Sequence, residues 1–419
     1  MRVLVVNAGS SSLKLRLLDD DDAVRRSADL PAGPAAGPAG LDVAGLAEVL
    51  RGWERPDAVG HRVVHGGTIF TGPVLVDDAV RRQLADLTDL APLHQPKSLA
   101  ALDAVTAQLP GVAAVACFDT AFHTTIPPAA ATYAVPREWQ RRYAIRRYGF
   151  HGLSHAYCSR RAAQLADGEA AGQAAPGQPA AGQPAAGQPA AGLRIITCHL
   201  GAGASLAAVL DGRSVDTTMG FTPLEGLVMA TRSGTVDPGL VLWLEEHEHL
   251  SPHEVATALE SRSGLLGLAG TGDMREVEAA AQRGEPDARL AIDVYTHRLA
   301  GGIAAMTAAT GGVDVLAFTG GVGEHSAVVR RRAAERLAFL GVAIDRHRNE
   351  VLHADGDTGG SPGDTGRSPG DTGRSPGNAG RSPGDTDVTA AGASVRTLVI
   401  TAREDLQIAS EVRGLLAAR

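Results

Sequence analysis

The chain of 419 residues is longer than a single hydrophobic core usually organises, so its length predicts at least two domains. A net charge of -8 disfavours a general nucleic-acid-binding surface, and no stretch approaches the roughly 18 apolar residues that a membrane-spanning helix needs. Three widely spaced cysteines without a CxxC pair, and no signal-peptide pattern after Arg2, favour a cytoplasmic protein with reduced thiols.

Strand and helix patterns alternate in the first 120 residues. Val3–Asn7 and Leu13–Leu18 are predicted strands joined by a polar, Gly-containing turn. Ala58–Val64 and Val112–Phe118 are apolar runs that end in polar residues, as buried strands do, whereas Asp77–Leu90 has helical spacing. This alternation predicts an α/β fold.

A local excess of positive charge occurs in Arg137–Arg147, where five arginines are interleaved with Trp139 and Tyr143. The pattern favours the solvated face of a helix, and an RNA-binding patch is the alternative interpretation.

Two segments have low-complexity sequences. The first, 172–192, repeats Gly-Gln-Pro-Ala-Ala, and the second, 356–385, repeats Gly-Asp-Thr-Gly-Arg-Ser-Pro. The glycines of the second repeat are alternately three and four residues apart, which does not fit the collagen triplet. Because neither segment has enough large apolar residues to offset its ordering entropy, we expect disordered surface insertions without a functional role. A loop is expected at Pro31–Gly40.

The C-terminal half repeats the pattern of the N-terminal half. Arg194–Leu200 and Ser205–Leu210 form a second predicted strand-turn-strand unit, about 190 residues after the first. Pro286–Thr310 is a predicted long helix, and Asp314–Thr319 and Val395–Ile400 are further predicted strands. This duplication indicates two related lobes around a central cleft, where ligands usually bind.

Three turns of small residues directly follow predicted strands and suit phosphate binding. They are Asn7–Ser12, His199–Gly203 and Gly320–His325. Backbone N–H groups can hold phosphate where small residues allow a close approach. The sequence contains no Walker A motif and no G-x-G-x-x-G that opens a helix, so a third phosphate-binding scheme is predicted.

Several side chains could act in a binding or catalytic site or could have a purely structural role. Arg62 and Arg232 can each bind a carboxylate or phosphate through two parallel hydrogen bonds, although a surface ion pair is the more frequent role of an arginine. His151 and His155 have the spacing of a zinc pair, but a third ligand is missing, which favours a hydrogen bond to a phosphoryl oxygen. Asp119 ends a predicted strand and could equally cap a turn.

Six sequence blocks resemble signatures of the acetate kinase family. They are Val6–Lys14 (VNAGSSSLK), Gly60–Gly67 (GHRVVHGG), Phe118–His123 (FDTAFH), Tyr148–Gly152 (YGFHG), Met219–Gly226 (MGFTPLEG) and Thr319–Glu324 (TGGVGE). The similarity runs in order over nearly the whole chain outside the two insertions.

The resemblance implies a fold like that of sugar kinases, actin and chaperone ATPases, with two duplicated actin-like (ribonuclease H-like) lobes. One lobe, 1–147 with 405–419, would bind the acyl substrate and Mg²⁺. The other, 148–404, would bind the nucleotide and form a homodimer.

The implied reaction is the reversible, direct in-line transfer of a phosphoryl group from ATP to acetate, without nucleic-acid or membrane partners. A propionate or butyrate kinase of the same family is one alternative, and an actin-like or chaperone-like ATPase module is another. Arg62, Asp119, His151 and Arg232 favour the kinase, because a polymer or a peptide clamp has no use for them.

The resemblance also implies roles for the acyl-site residues. Arg62 would bind acetate beside an apolar pocket formed by Val64, Leu93, Phe150 and Pro223. Val64 would favour acetate over propionate. His151 and Arg232 would stabilise the transferring phosphoryl group.

The family assigns proton transfer to the counterpart of Asp119. Acetate is already ionised at neutral pH, because a carboxylic acid titrates near pH ~4, and it gains nothing from a general base. We therefore expect Asp119 to act through Mg²⁺.

Asn7 and Glu404 are the implied ligands of Mg²⁺, which Mn²⁺ could replace, with Asp405 as an alternative contact. The implied nucleotide-binding residues are Lys14, His199, Leu200, Gly201, Ala202, Gly203, Asp273, Met274, Arg275, Gly321, Val322, Gly323, Glu324 and His325. Ala202 and His325 replace asparagines that are usual in the family near the nucleotide, so we expect an altered ATP affinity with function retained. Arg403 replaces another usual asparagine, beside the implied metal ligand Glu404.

Overall fold

The computed structural model describes residues 1–9, 12–31, 42–91, 95–173, 192–354 and 384–418. The predicted insertions 172–192 and 356–385 fall almost entirely outside these residues, as do most of the predicted loop Pro31–Gly40 and the predicted pocket residue Leu93. No helix within the described ranges has the length and apolar character required to span a bilayer.

The chain divides into two compact units. The first consists of Met1–Tyr157, Gly212–Glu225 and Ala402–Arg419, and the second of Cys158–Asp211 and Gly226–Thr401. The described residues form two six-stranded sheets flanked by helices, which confirms the predicted α/β fold with duplicated lobes.

The sheet of the first unit has the strand order β3-β2-β1-β4-β6-β5. Its strands are β1 (Val3–Ala8), β2 (Ser12–Leu18), β3 (Val24–Pro31), β4 (Ala58–Val63), β5 (Val74–Leu75) and β6 (Ala113–Phe118). The strands β1, β4 and β6 are parallel, with Val6 opposite His61 and Val63 opposite Phe118. Their carboxyl ends therefore meet at one edge of the sheet.

Helices of the first unit cover both faces of this sheet. They are α1 (Val43–Arg51), α2 (Asp78–Asp86), α3 (Gln95–Gln108), α4 (Pro128–Ala131), α5 (Arg137–Tyr143), the start of α6 (Gly152–Gln173) and, near the end of the chain, α15 (Glu404–Ala417). Leu4 and Val6 pack with Leu46 of α1 on one face, and Val5 packs with Ile408 of α15 on the other.

The predicted helix Asp77–Leu90 is shorter than expected. The Asp77 side chain accepts a hydrogen bond from the backbone N–H of Val80 and so caps the start of α2. The helix ends at Asp86, and a separate 3-10 turn follows at Thr88–Leu90. Helical spacing of the apolar residues therefore continues through two distinct elements.

The second sheet has the order β11-β12-β10-β7-β8-β9. Its strands are β7 (Arg194–Leu200), β8 (Ala204–Leu210), β9 (Arg213–Thr217), β10 (Val315–Thr319), β11 (Thr386–Asp387) and β12 (Arg396–Val399). The strands β7 and β8 form an antiparallel hairpin, and β10 is parallel to β7 with Thr319 opposite His199. This arrangement repeats that of β1, β2 and β4.

The remaining helices belong to the second unit. They are α7 (Pro238–His247), α8 (Pro252–Ser261), α9 (Gly264–Ala269), α10 (Met274–Gln282), α11 (Pro286–Thr310), α12 (Gly320–His325), α13 (Ala327–Arg336) and α14 (Arg346–Ala354). The bounds of α11 are those predicted, and its buried stripe includes Tyr295, Leu299 and Ile303.

Candidate active site

Four polar side chains meet at the carboxyl edge of the first sheet. Arg62 donates from Nε and Nη2 to the Asp119 carboxylate (3.1 and 2.6 Å) and from Nη1 to Asn7 Oδ1 (3.1 Å). Asn7 Nδ2 donates to Glu404 Oε2 (2.8 Å), which lies 4.0 Å from Arg62 Nε. Asn7, Arg62 and Asp119 lie at the ends of β1, β4 and β6, and Glu404 begins α15. The parallel strands thus bring together residues that are far apart in the sequence.

The partly buried Arg62 forms an ion pair with the buried Asp119. Burial raises the pKa of the Asp119 carboxyl, while the Arg62 guanidinium and its hydrogen bonds oppose that rise. Burial alone would lower the pKa of Arg62, but the carboxylates of Asp119 and Glu404 raise it above its ordinary value. Arg62 remains charged at any working pH. Its three bonded nitrogens leave one further N–H on each Nη for a ligand.

The oxygen atoms of this cluster fit the chemistry of Mg²⁺. The ion prefers hard oxygen ligands and is usually held by one or two carboxylates, with waters and substrate phosphates completing its coordination. Asp119 and Glu404 supply carboxylates, and Asn7 supplies an amide oxygen. Across the part of the chain that the structure describes, no group of three or more His, Cys, Asp or Glu side chains could hold a metal ion. With two carboxylates and one amide oxygen in the cluster, a divalent ion here would also need oxygens of water or substrate.

The adjacent residue Asp405 does not join the cluster. Its carboxylate accepts hydrogen bonds from Arg403 Nε and Nη2, both at 2.9 Å. The arginine that replaces the usual asparagine of the family therefore forms an ion pair with the alternative metal contact.

The segment with Phe150 and His151 lies against Asp119. Gly152 N donates to the Asp119 backbone oxygen (2.8 Å), and a Cβ at Gly152 would stand only 2.2 Å from that oxygen. His151 has a φ of 56°, which is uncommon outside glycine. Glycine at position 152 is thus required for this close approach, and the backbone of His151 is held in a strained conformation beside the cluster.

The buried His123 is hydrogen-bonded to the segment that contains Phe150 and His151. His123 Nε2 lies 3.1 Å from the Phe150 backbone oxygen, and His123 Nδ1 lies 2.8 Å from Ser214 Oγ. Burial lowers the pKa of His123 to about 4, so the ring is neutral at physiological pH. The ring can therefore donate one hydrogen bond and accept the other.

The predicted acyl-pocket residues Val64, Phe150 and Pro223 belong to the first unit. Val64 and Phe150 are buried, Pro223 is half-buried, and Leu93 lies outside the described residues. The Phe150 ring packs edge-on against His65 at 5.5 Å between ring centroids. Val64 and Phe150 are therefore buried apolar side chains, and the acyl pocket stays a prediction.

The second unit contains a cavity of about 860 Å³, within the size range of ligand pockets. Eight of the predicted nucleotide-binding residues line it: Gly201, Ala202, Asp273, Met274, Arg275, Gly321, Val322 and His325. Ala230, Leu265, Gly272, Glu278 and Ser326 also line the cavity and were missed from the sequence. Gly272 adjoins the predicted block Asp273–Arg275, which was the signal available for finding it.

The turn after β10 depends on glycine. Gly320 has a φ of 80°, and a Cβ there would lie 2.8 Å from the Leu200 backbone oxygen. Gly320 N donates to Glu324 Oε1 (2.9 Å). The turn can therefore lie directly against the end of β7, with Leu200 and Gly323 buried beneath the cavity-lining residues.

Two of the residues that line the cavity, Asp273 and Arg275, form an ion pair. Asp273 caps α10 by accepting from Arg275 N (2.9 Å), and its carboxylate also accepts from Arg275 Nε (3.0 Å). The side-chain hydrogen bond from Arg275 lowers the pKa of Asp273. Arg275 itself is exposed, so its guanidinium can turn toward a bound phosphate or ribose.

Two other predicted residues stand apart from these groups. Lys14 lies exposed on β2, opposite Asn7 in the strand register. Arg232 follows the cavity-lining Ala230 in the second unit, and burial lowers the pKa of its guanidinium, with Glu260 opposing the shift. His199, Gly203 and Glu324 border the strand ends near the cavity but do not line it.

The duplicated α/β lobes, the ligand-sized cavity beside strand-end turns and the cluster of guanidinium, carboxylate and amide groups define the class of the chain as a phosphotransferase. The family model of the Acetokinase family matches residues 47–173 and 182–360. The chain belongs to the acetokinase family, as the sequence motifs predicted.

Relatives and solved structures agree with this assignment. Acetate kinase of Fervidobacterium nodosum is 42% identical, with 84% of this chain and 89% of the relative covered. Acetate kinase of Deinococcus deserti is 40% identical and covers 100% of this chain and 99% of its own length. The crystal structure of Porphyromonas gingivalis acetate kinase has a TM-score of 0.78 at 32% identity, covering 99% of both chains. A propionate kinase from Francisella tularensis matches with the same TM-score and identity, covering 98% of both chains.

Proposed function

We propose that the protein is an acetate kinase, which transfers a phosphoryl group reversibly between ATP and acetate. The observation that carries the proposal is the Arg62 guanidinium, which is held by Asp119 and Asn7 and keeps N–H donors for a small carboxylate. The first unit would bind acetate and the metal, and the second unit would bind the nucleotide.

Arg62 would bind the substrate carboxylate, and Asp119 would orient Arg62. The bidentate contact fixes the plane of the guanidinium, so that its remaining donors point in one direction before the substrate arrives. Such preorganisation reduces the entropy lost when acetate binds. The acetate oxygen then attacks the γ-phosphorus directly, because the carboxylate has no proton to lose, and the bond from that phosphorus to the β–γ bridging oxygen breaks as ADP leaves.

Asn7, Asp119 and Glu404 would hold Mg²⁺ through their oxygen atoms. The ion would neutralise charge on the phosphate oxygens. Asn7 would thus contribute to both sites, since its Oδ1 also accepts from Arg62.

His151 and Arg232 would stabilise the transferring phosphoryl group. A neutral imidazole can donate one hydrogen bond to an equatorial oxygen, and a guanidinium can donate two. The strained backbone of His151 supports this role, because such strain persists where a side chain must keep a set direction.

The cavity of the second unit would bind ATP. Ala230, Leu265 and Met274 offer apolar surface for a base, and the backbone of the Gly201 and Gly321 turns offers N–H groups for phosphates. Ala202 and His325 line this cavity, which is why the departures from the family pattern would change ATP affinity.

The activity is tested by a hydroxamate trap with MgATP and acetate, propionate or butyrate. We expect the strongest signal with acetate, and a weaker one with propionate, because one methylene in an apolar pocket discriminates by only ~1–3 kcal/mol. A stronger signal with propionate would favour the alternative kinase. No signal with any of the three acids would refute the proposal.

A pair of arginine variants tests the role of Arg62. Arg62→Met should lower kcat/KM for acetate by about 10²-fold or more, since it removes a charged donor from the reacting group. Arg81→Met is the matched control, because Arg81 makes a bidentate pair with Asp103 in the same unit but away from the cluster. Equal losses in the two variants would exclude a specific role for Arg62.

Asp119→Asn separates the proposed roles of this carboxylate. If Asp119 contacts the metal, the variant should need more Mg²⁺ for half-maximal activity. If Asp119 only orients Arg62, the variant should raise KM for acetate with the Mg²⁺ requirement unchanged. Mg²⁺ titrations at saturating and limiting acetate distinguish the two.

We also propose a homodimer that forms through the second unit. The helix α7 has no buried residue, and it exposes Leu240, Leu242 and Trp243 by 44%, 57% and 46%. Adjacent apolar side chains on an exposed helix indicate a protein interface. Sedimentation should give a dimer for the wild type and a monomer for Trp243→Glu; a monomeric wild type would contradict the proposal.

A further inference from the structure

A second polar network in the first unit lies outside the residues assigned above. The Glu225 carboxylate accepts hydrogen bonds from the Tyr133 hydroxyl and from Arg147 Nη2 (2.8 Å). The Arg147 guanidinium also lies 5.5 Å from the centre of the Tyr133 ring, at cation–π distance. In the sequence, Glu225 lies 92 residues from Tyr133 and 78 residues from Arg147, so these side chains meet only in the folded chain.

The network binds the backbone of the segment 218–221. Arg147 Nη1 donates to the backbone oxygens of Thr218 and Met219, both at 3.1 Å. The Tyr133 hydroxyl accepts from Phe221 N (3.0 Å). The Arg147 guanidinium and the Tyr133 hydroxyl therefore both bind the backbone of the same short segment, which ends two residues before Pro223.

Gly220 lies at the centre of this arrangement. A Cβ at Gly220 would stand 1.8 Å from Glu225 Oε2 and 2.0 Å from the Tyr133 hydroxyl oxygen, so a larger residue here would displace the ends of both side chains. The Gly220 backbone oxygen accepts from Tyr148 N (3.1 Å) and Gly149 N (3.3 Å). The backbone of Tyr148 and Gly149, directly before Phe150, is therefore hydrogen-bonded to Gly220, which the network surrounds.

We propose that Tyr133, Glu225 and Arg147 are positioning residues that set the shape of the acyl pocket. The inference rests on the proposed function, in which Phe150 and Pro223 line that pocket and His151 contacts the phosphoryl group. The network fixes the backbone on both sides of the pocket, so it determines how much space remains for the alkyl part of the acid.

Arg147 differs from the other arginines of the basic run Arg137–Arg147. Its side chain is only 17% exposed, whereas Arg137, Arg141 and Arg142 are exposed to solvent on or beside α5. Burial would lower the pKa of Arg147, but the neighbouring Tyr133 and Glu225 raise it. Arg147 makes two hydrogen bonds to backbone oxygens and one to a carboxylate. The interpretation of the run as a solvated helix face therefore does not apply to Arg147.

Tyr133→Phe is the most conservative test, because it removes the hydroxyl and keeps the ring over Arg147. We expect KM for acetate to rise about five- to tenfold, the effect of losing one to two hydrogen bonds, with KM for ATP within twofold of wild type. The ratio of kcat/KM for acetate to that for propionate should fall, since a looser pocket admits the larger acid.

Tyr143→Phe is the matched control. Tyr143 also lies under an arginine, Arg142, at 5.2 Å, but it is 51% exposed on α5 and is not one of the three network side chains. Its kinetic constants should equal those of the wild type. Arg147→Lys should fall between wild type and Arg147→Met, because a lysine keeps the charge but cannot make the same set of hydrogen bonds.

The outcomes separate three cases. An unchanged KM for acetate in Tyr133→Phe overturns the inference, and so does an equal rise in the KM values for acetate and ATP, which would indicate general loosening of the fold. A wild-type protein that gives no hydroxamate with any of the three acids overturns the proposed function instead. A selective rise in KM for acetate with altered acid preference supports the inference.

Discussion

Arg330 is a fully buried cation whose removal should both destabilise the second unit and weaken nucleotide binding. Its side chain is 0% exposed, and it donates to the backbone oxygens of Gly323 (2.9 Å) and Glu324 (2.7 Å) in α12. It also donates to the side chain (2.7 Å) and the backbone oxygen (2.9 Å) of Asn349 in α14. Burial lowers the pKa of Arg330 to about 10, so it remains charged at neutral pH.

The size of the effect follows from these four hydrogen bonds. Arg330→Met keeps most of the apolar volume but leaves four acceptors without their donor. At about 1 kcal/mol for each bond, the free energy of unfolding should fall by roughly 4 kcal/mol. Because Gly321, Val322 and His325 of the same turn line the cavity, KM for ATP should also rise.

Urea unfolding of Arg330→Met and of Arg331→Met gives a matched comparison. Arg331 is the next residue of α13 and makes an i,i+4 pair with Glu335 (2.9 Å) at the surface, where such a pair contributes about 0.3–0.5 kcal/mol. A loss of stability in Arg330→Met no larger than that in Arg331→Met would refute the reasoning. A large loss of stability in Arg330→Met with an unchanged KM for ATP would refute the proposed link between Arg330 and nucleotide binding.

Three other predictions concern the first unit. Burial lowers the pKa of His61 to about 4, so its contribution to stability is fully present above pH 6.5 and is lost as the pH falls toward 4; His61→Leu should flatten this dependence in urea titrations between those values. Gly152→Ala should abolish activity or folding, because its Cβ would overlap the backbone oxygen of Asp119, and wild-type kinetics would contradict that geometry. Asp77→Ala should cost about 1 kcal/mol through loss of the helix cap, whereas Asp78→Ala should change stability by less, as measured by thermal unfolding.

The sequence predicts best those elements whose ends carry their own signals. The helix α11 begins at Pro286 and ends before Gly311, which has a φ of 68°, and both residues mark helix ends chemically. The strands β1 and β7 are short apolar runs next to polar turns. The residues at the ends of these elements were sufficient to predict them, because the tertiary structure favours the same boundaries.

The strand β3 shows where local patterns fail. Its residues Val24–Pro31 are mostly exposed and include two arginines, so no alternation of apolar and polar residues marks it. It forms because its backbone pairs with β2, for example Lys14 with Asp29. A strand at the edge of a sheet can be specified by its neighbour rather than by its own side chains.

The candidate site was predictable as a set of chemical groups and less so as a set of contacts. The motifs indicated Arg62 and Asp119, but their ion pair spans 57 residues and depends on the register of β4 and β6. The cavity residues Ala230 and Leu265 were missed because small and apolar side chains carry no chemical signature. Long-range pairing and cavity walls therefore had to come from the structure.

The return of α15 to the first sheet affects how the chain is made. Ile408 and Val412 pack so closely on β4 that a Cβ at Gly60 would lie 2.5 and 2.8 Å from them. During translation, the opening strands leave the ribosome first but keep one apolar face uncovered until α15 has been synthesised. The core of the first unit is therefore completed only after β12 of the second unit has been synthesised, and removal of α15 would leave this face of the sheet uncovered and would also remove Glu404.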